Sequence, residues 1–170
     1  MGVSGTGKST IAEELAARLG WPFEEGDSLH PESNVEKMHA GMPLTDANRL
    51  PWLERVGIDG QRAKKQPGII TCSALKRTYR QIIIGDRPEV RLVYLRSGRD
   101  LIAEHLAGRH GHFMPAALLQ SQIDTLEEPD PSEDPLTVDA GAPAAHVTDE
   151  IIRLLGASAT VVQGVPAHPN

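Results

Sequence analysis

The sequence predicts an α/β fold, a parallel sheet flanked by helices, on three observations. A glycine-rich loop, Gly2-Val3-Ser4-Gly5-Thr6-Gly7-Lys8-Ser9, runs directly into a helical pattern. Short apolar runs at residues 68–72, 91–95 and 136–139 read as buried strands. Segments with helical periodicity separate those runs, and strands alternating with helices imply parallel pairing with helices on both faces.

The loop fits the pattern G-x-x-x-x-G-K-[ST] without a gap. Its glycines allow backbone angles that turn successive N–H groups inward, a nest for phosphate oxygens. In that pattern Lys8 meets the β- and γ-phosphates of a nucleotide, and the Ser9 hydroxyl completes the shell of a Mg²⁺ ion. Residues Gly2 to Thr10 are therefore the candidate ATP contacts. The helix that follows, Lys8 to Leu19, carries Ile11, Leu15 and Leu19 on one face with Ala12 and Ala16 beside them, and Gly20 stands where it should stop. Its N-terminal dipole would point at the phosphates. A P-loop ordinarily leaves a buried strand, yet only Met1 precedes Gly2. The expectation is that this start lies inside a truncated first strand and that upstream residues would restore an apolar run.

The remaining elements follow in order. Trp21 to Glu24 is a candidate short strand, and Asn48 to Lys64 a helix. Gly68 to Cys72 is a strand, as is Arg91 to Leu95. Arg99 to Ala107 and Pro115 to Thr125 are helices, then Leu136 to Asp139 a strand and Val147 to Leu155 a closing helix. Glu127 to Pro135 reads as an acidic, proline-rich surface loop, and residues 156–170 as a flexible tail.

A length of 170 residues suits one domain with a real core. The net charge of −6 argues against nucleic acid as a partner. No apolar run reaches the ~18–20 residues of a membrane span. The lone Cys72 rules out an internal disulfide and fits a reducing, cytoplasmic setting, where it reads as a buried strand thiol.

Several positions suggest chemistry, each with a plain alternative. Asp27, in Glu25-Gly26-Asp27-Ser28-Leu29-His30-Pro31, follows the candidate short strand, on the side where ligands bind in open α/β sheets. It is placed to take a proton from an attacking hydroxyl or help hold Mg²⁺; otherwise it is a turn carboxylate or helix cap. Thr45 or Asp46 is placed to cap the next helix, and Trp52 reads as core. Lys76, Arg77 and Arg80 crowd one loop and helix start, where cations oppose the dipole. An anionic ligand would account for them; a solvated basic face is the bland reading. Arg109, in Arg109-His110-Gly111-His112-Phe113, reads as a lid residue that meets nucleotide charge, or as a basic C-cap. No zinc-ligand spacing surrounds the histidines there.

Taken together these segments resemble the gluconate kinase family. The resemblance runs through Gly2 to Ser9, Gly26-Asp27 with Leu29-His30-Pro31, Asn34, Glu36-Lys37-Met38, Gly41, Pro43-Leu44, Arg49 and Pro51-Trp52-Leu53. It continues in the same order through Cys72-Ser73-Ala74-Leu75-Lys76, Tyr79-Arg80, Arg109, Gly111-His112-Phe113 and Leu126-Glu127-Glu128-Pro129, covering residues 1–155. It implies a shikimate-kinase-like P-loop kinase fold, a three-layer sandwich around a five-stranded parallel sheet, with a mobile lid at about residues 109–129. It also implies transfer of the γ-phosphoryl of ATP to the 6-hydroxyl of D-gluconate, and dimers are common in the family. Carried over, Lys8, Asp27 and Arg109 are catalytic. His30, Arg49, Lys76, Tyr79 and Arg80 face the sugar acid together with Asp27, His112 belongs to the lid, and Ser9 holds Mg²⁺. Two departures stand out: Glu25 replaces the family's first Asp of Asp-Gly-Asp, and Asn48 replaces the Asp that commonly precedes the arginine. The readings left beside it are a kinase of another hydroxy acid and a nucleotide-binding module without catalysis.

Overall fold

The computed structural model describes residues 1–62, 67–98, 102 and 116–156. The predicted helix at 99–107, apart from Ile102, therefore lies outside the described residues, as do Arg109, His112 and the tail beyond Gly156. Four strands are present among the described residues: β1 (Phe23–Glu25), β2 (Ile69–Thr71), β3 (Val93–Arg96) and β4 (Leu136–Asp139). The helices are α1 (Lys8–Leu19), α2 (Glu32–His39), α3 (Asp46–Arg62), α4 (Arg77–Ile84), α5 (Ala116–Thr125) and α6 (Ala144–Leu155).

The strands form two parallel pairs, β1 with β2 and β3 with β4. Each pair is parallel because a helix returns the chain between its strands. Met1 lies alongside β3. Its carbonyl accepts from the Leu95 N–H at 2.9 Å, its amino group donates to the Val93 carbonyl, and its side chain packs beside Cys72 and Leu29. The P-loop thus enters from the edge of β3.

Helix α1 runs between Gly7 and Gly20, both in the left-handed region, and the N–H of Gly20 returns to the Ala16 carbonyl. Ile11, Ala12 and Leu15 are buried, as their spacing predicts, at about 1.5–3 kcal/mol for each large side chain. Ile11 and Leu15 cluster with Leu95, Val138, Val147 and Ile151, so α1 packs against α6, which covers β4, while α1 also lies over β1 and β2. A second cluster joins Trp52, Leu53 and Val56 of α3 to Tyr79 and Ile83 of α4 and to Cys72 after β2. The third sets Val3 of the P-loop against Leu75, with Leu119 and Ile123 of α5 packed on it. These clusters leave the P-loop, the turn after β1, and the loop after β2 at one end of the strands.

Several assignments shift: β2 narrows to Ile69–Thr71, β3 is Val93–Arg96, and α3 and α6 start earlier, at Asp46 and Ala144. The short strand is Phe23–Glu25 instead of Trp21 to Glu24, since Pro22 supplies a carbonyl to Ile69 but no N–H. Helix α2 was not anticipated; it starts after Pro31 and buries only Asn34, too little apolar periodicity to be read.

Candidate active site

Gly7 has φ near +80°, a conformation in which an L side chain is strained, and it passes the chain from the loop into α1. Within the loop, Thr6 is buried and its hydroxyl donates to the Val3 carbonyl at 3.0 Å. The Lys8 ammonium donates to that same carbonyl at 3.0 Å, which folds it back over the loop. Gln122 of α5 accepts from the Ser4 N–H at 2.8 Å, a tie between the P-loop and a helix within the predicted lid segment that local sequence could not reveal.

Glu25 has a larger role than its place as a substituted Asp suggested. Its carboxylate accepts from the Ser9 hydroxyl through one oxygen and from the Thr71 hydroxyl through the other. It therefore joins the start of α1 to the ends of β1 and β2. Ser9 and Glu25 place hard oxygen donors together, the chemistry that suits Mg²⁺. Hence the residues present fit the ion that a P-loop employs.

Asp27 sits in a tight 3-10 turn, Gly26–Leu29, and its side chain is exposed at the strand ends. A Cβ on Gly26 would lie 1.9 Å from the Thr71 carbonyl oxygen, so only glycine lets the turn pass β2 this closely. The Trp52 indole N–H donates to the Gly26 carbonyl at 2.7 Å, and the His30 N–H closes on the Asp27 carbonyl at 3.3 Å. Trp52 is core, as expected, and it also fixes the turn that carries Asp27.

His30 stacks on Trp52 with ring centroids 4.2 Å apart, and Asn34 lies within hydrogen-bond distance of its Nδ1. Burial is the main reason its pKa falls to about 4, with Arg49 lowering it further and Asp27 opposing. The imidazole is thus neutral near pH 7. Because its folded pKa lies below the ordinary 6.5, its contribution to stability is full above that value. It is lost as pH falls from about 6.5 through about 4. We expect thermal melts from pH 7.5 to 4.5 to show a shallower loss for His30→Asn than for the parent chain; identical slopes would remove His30 as a source.

Thr45 and Asn48 cap α3 reciprocally: the Asn48 N–H donates to the Thr45 hydroxyl, and the Asn48 side chain accepts from the Thr45 N–H, both at 3.3 Å. Asn48 is thus a capping residue, and Asp46 is released from that duty. The Asp46 carboxylate instead accepts from Lys76 Nζ at 2.8 Å to each oxygen and from the Tyr79 hydroxyl at 2.5 Å. Lys76 lies 5.4 Å from the centroid of the Tyr79 ring, and the Arg49 guanidinium carbon 5.8 Å. Arg49 keeps its Nε buried with no hydrogen-bond partner among the described residues. Arg49, Lys76, Tyr79 and, through Trp52, His30 and Asp27 are therefore brought to one region.

Arg80 is not part of it. Its side chain is 2% exposed and forms a two-pronged pair with Glu133, Nε to Oε2 at 2.6 Å and Nη2 to Oε1 at 2.9 Å. Nη1 donates to the Glu127 carbonyl at 2.9 Å and to those of Ala74 and Leu75. The assignment of Arg80 to the sugar acid is corrected: it clamps the loop after α5 to the loop after β2. The crowding of cations at α4 likewise has an internal explanation, since Asp46 meets Lys76, Glu133 meets Arg80, and Glu127 accepts from the Arg77 N–H at 2.7 Å. Arg80→Met is expected to cost about 3–5 kcal/mol of stability in urea unfolding, the usual loss when one member of a buried pair is removed. Weaker sugar-acid binding at unchanged stability would return Arg80 to the substrate side.

Arg109 and His112 lie outside the described residues, and of the predicted lid only residues 116–129 are described. Among the described residues no group of three His, Cys, Asp or Glu is arranged to hold a metal, and no helix is long and apolar enough to cross a membrane.

No family model matches the chain. It is 49% identical over 156 residues to a gluconokinase of Gluconobacter oxydans, covering 90% of this chain and 87% of that one. The chain belongs to the gluconokinase family. A thermosensitive gluconokinase of Escherichia coli is 42% identical, over 88% of this chain and 82% of that protein. The crystal structure of a gluconokinase from Sinorhizobium meliloti superposes with a TM-score of 0.83 at 43% identity, covering 92% of this chain and 89% of that one. A shikimate kinase from Aquifex aeolicus, at 15% identity and a TM-score of 0.57, shares the fold. The P-loop, the Asp27 turn and the α3–α4 cluster lie at the same end of the strands in this gluconokinase.

Proposed function

We propose that this chain transfers the γ-phosphoryl group of ATP to the 6-hydroxyl of D-gluconate, giving 6-phospho-D-gluconate. The observation that carries the reading is the 49% identity to a gluconokinase across nearly the whole chain. The gathering of Asp27, His30, Arg49, Lys76 and Tyr79 next to the P-loop supports it.

The P-loop amides of residues 2–10 and the Lys8 ammonium bind and neutralise the phosphates of ATP. Ser9 and Glu25 would hold the Mg²⁺, which when bound offsets charge on the phosphate oxygens. Asp27, held by Trp52 and Gly26, orients the acceptor hydroxyl and accepts its proton as the oxygen bonds to phosphorus and the bond to ADP breaks. Arg49 binds the carboxylate of the sugar acid. Neutral His30 and the Tyr79 hydroxyl supply hydrogen bonds to the polyol chain. Arg109 and His112 approach from the lid, which must exclude water to prevent hydrolysis of ATP. The lone thiol, buried and with its pKa raised chiefly by burial, suits a reducing cytoplasm and takes no part.

Coupled measurement of ADP release with gluconate, shikimate and related hydroxy acids tests the reading. Turnover with gluconate alone is expected. Nucleotide binding without turnover, or preference for another acid, would overturn it.

A further inference from the structure

The peptide between Val3 and Ser4 is gripped from both sides. Its Val3 carbonyl accepts from the Lys8 ammonium and from the Thr6 hydroxyl, each at 3.0 Å. Its Ser4 N–H donates to Gln122 Oε1 at 2.8 Å. A trans peptide is planar and points its C=O and N–H in opposite directions, so partners on both sides fix the plane. Gln122 stands three residues after Leu119 and next to Ile123, on the face of α5 that packs on Val3 and Leu75. An amide in that apolar stripe needs a polar partner, and the P-loop backbone supplies it. Donation of the N–H to Gln122 also makes the Val3 carbonyl a stronger acceptor for Lys8. An ammonium carries three donors, so its bond to that carbonyl sets where the charge stands while phosphate oxygens can still be met.

We propose that Gln122 is a positioning residue for phosphoryl transfer: through the Val3–Ser4 peptide it fixes the carbonyl on which the Lys8 ammonium is anchored. Its action runs through the backbone, not through contact with either substrate. A glycine-rich loop is soft by itself, and the brace from α5 keeps this peptide from turning. Without it the Lys8 charge loses its fixed place over the loop, and the cost falls on the nucleotide side of the reaction. The acceptor side, built on α3 and α4, is left as it was. This rests on the reading above of the chain as an ATP-dependent kinase and extends it to a residue outside the P-loop.

Gln122→Met, which keeps the length of the side chain and removes the acceptor, tests this in the full chain. With radiolabelled ATP and saturating D-gluconate, kcat/KM for ATP should fall about fivefold, the worth of one hydrogen bond. The Kd for gluconate, measured by calorimetry, should equal that of the parent. A double-mutant cycle with Lys8→Ala then isolates the route: in the K8A background, Q122M should cause no further fall in kcat/KM for ATP. A parent-like kcat/KM in Q122M, an equal weakening of gluconate binding, or the same fivefold fall in the K8A background overturns the proposal. Should Q122M fail to fold, Gln122→Asn decides on the same terms, since it keeps the amide and is too short by one methylene to reach Ser4. If the parent transfers no phosphoryl group from ATP to gluconate, the proposed function fails and this inference with it. Turnover by the parent with any of the three overturning results defeats this inference alone.

Discussion

Asp27→Asn is expected to lower kcat with gluconate by about 10²–10⁴-fold, the usual contribution of a positioned general base. The substitution keeps the size of the side chain and removes its basicity. Asp27 is exposed, and the turn around it is held through backbone atoms: the Gly26 carbonyl by Trp52 and the Asp27 carbonyl by the His30 N–H. The fold should therefore survive, and thermal melting should be nearly unchanged. Since the phosphates of ATP are assigned to the P-loop amides and Lys8, not to Asp27, the KM for ATP should move little. Near-normal turnover would remove Asp27 as the base and leave it as a turn carboxylate.

Lys8→Ala is the second large effect. A single preorganised donor at developing transition-state charge is worth about 10²–10³ in kcat, and a lysine at this place in a P-loop also contributes to ground-state binding of the phosphates. Its ammonium is held at 3.0 Å from the Val3 carbonyl, so it is poised over the loop before nucleotide arrives. Steady-state kinetics should show kcat reduced by orders of magnitude together with a raised KM for ATP, while gluconate binding measured by calorimetry stays close to that of the parent. A variant with ordinary kcat would mean that the loop amides alone carry the phosphoryl charge.

Much of the donor half was legible because its signals are local. The P-loop glycines, the i, i+4 spacing of Ile11 and Leu15, and the stop at Gly20 all lie within one turn or two of what they control. Strand β4 matches the predicted Leu136 to Asp139 for the same reason: a short apolar run bounded by turn residues. The acceptor half was legible only in part. Arg80 looked like a substrate cation because its partner, Glu133, lies 53 residues away in a loop read as plain surface. Thr45 and Asp46 are both candidate caps in the sequence, and the geometry gives that work to Thr45 while Asp46 reaches across to α4. Glu25 was noticed as a departure, but its joint hold on Ser9 and Thr71 depends on strand pairing that no local pattern encodes.

Phosphorus NMR of the reaction mixture with ATP, Mg²⁺ and D-gluconate addresses the central claim most directly. The predicted result is a new phosphate-ester resonance coupled to the C6 methylene protons, growing in step with ADP. Inorganic phosphate as the only product beside ADP, or an ester on any other carbon, would contradict the placement of the 6-hydroxyl at Asp27.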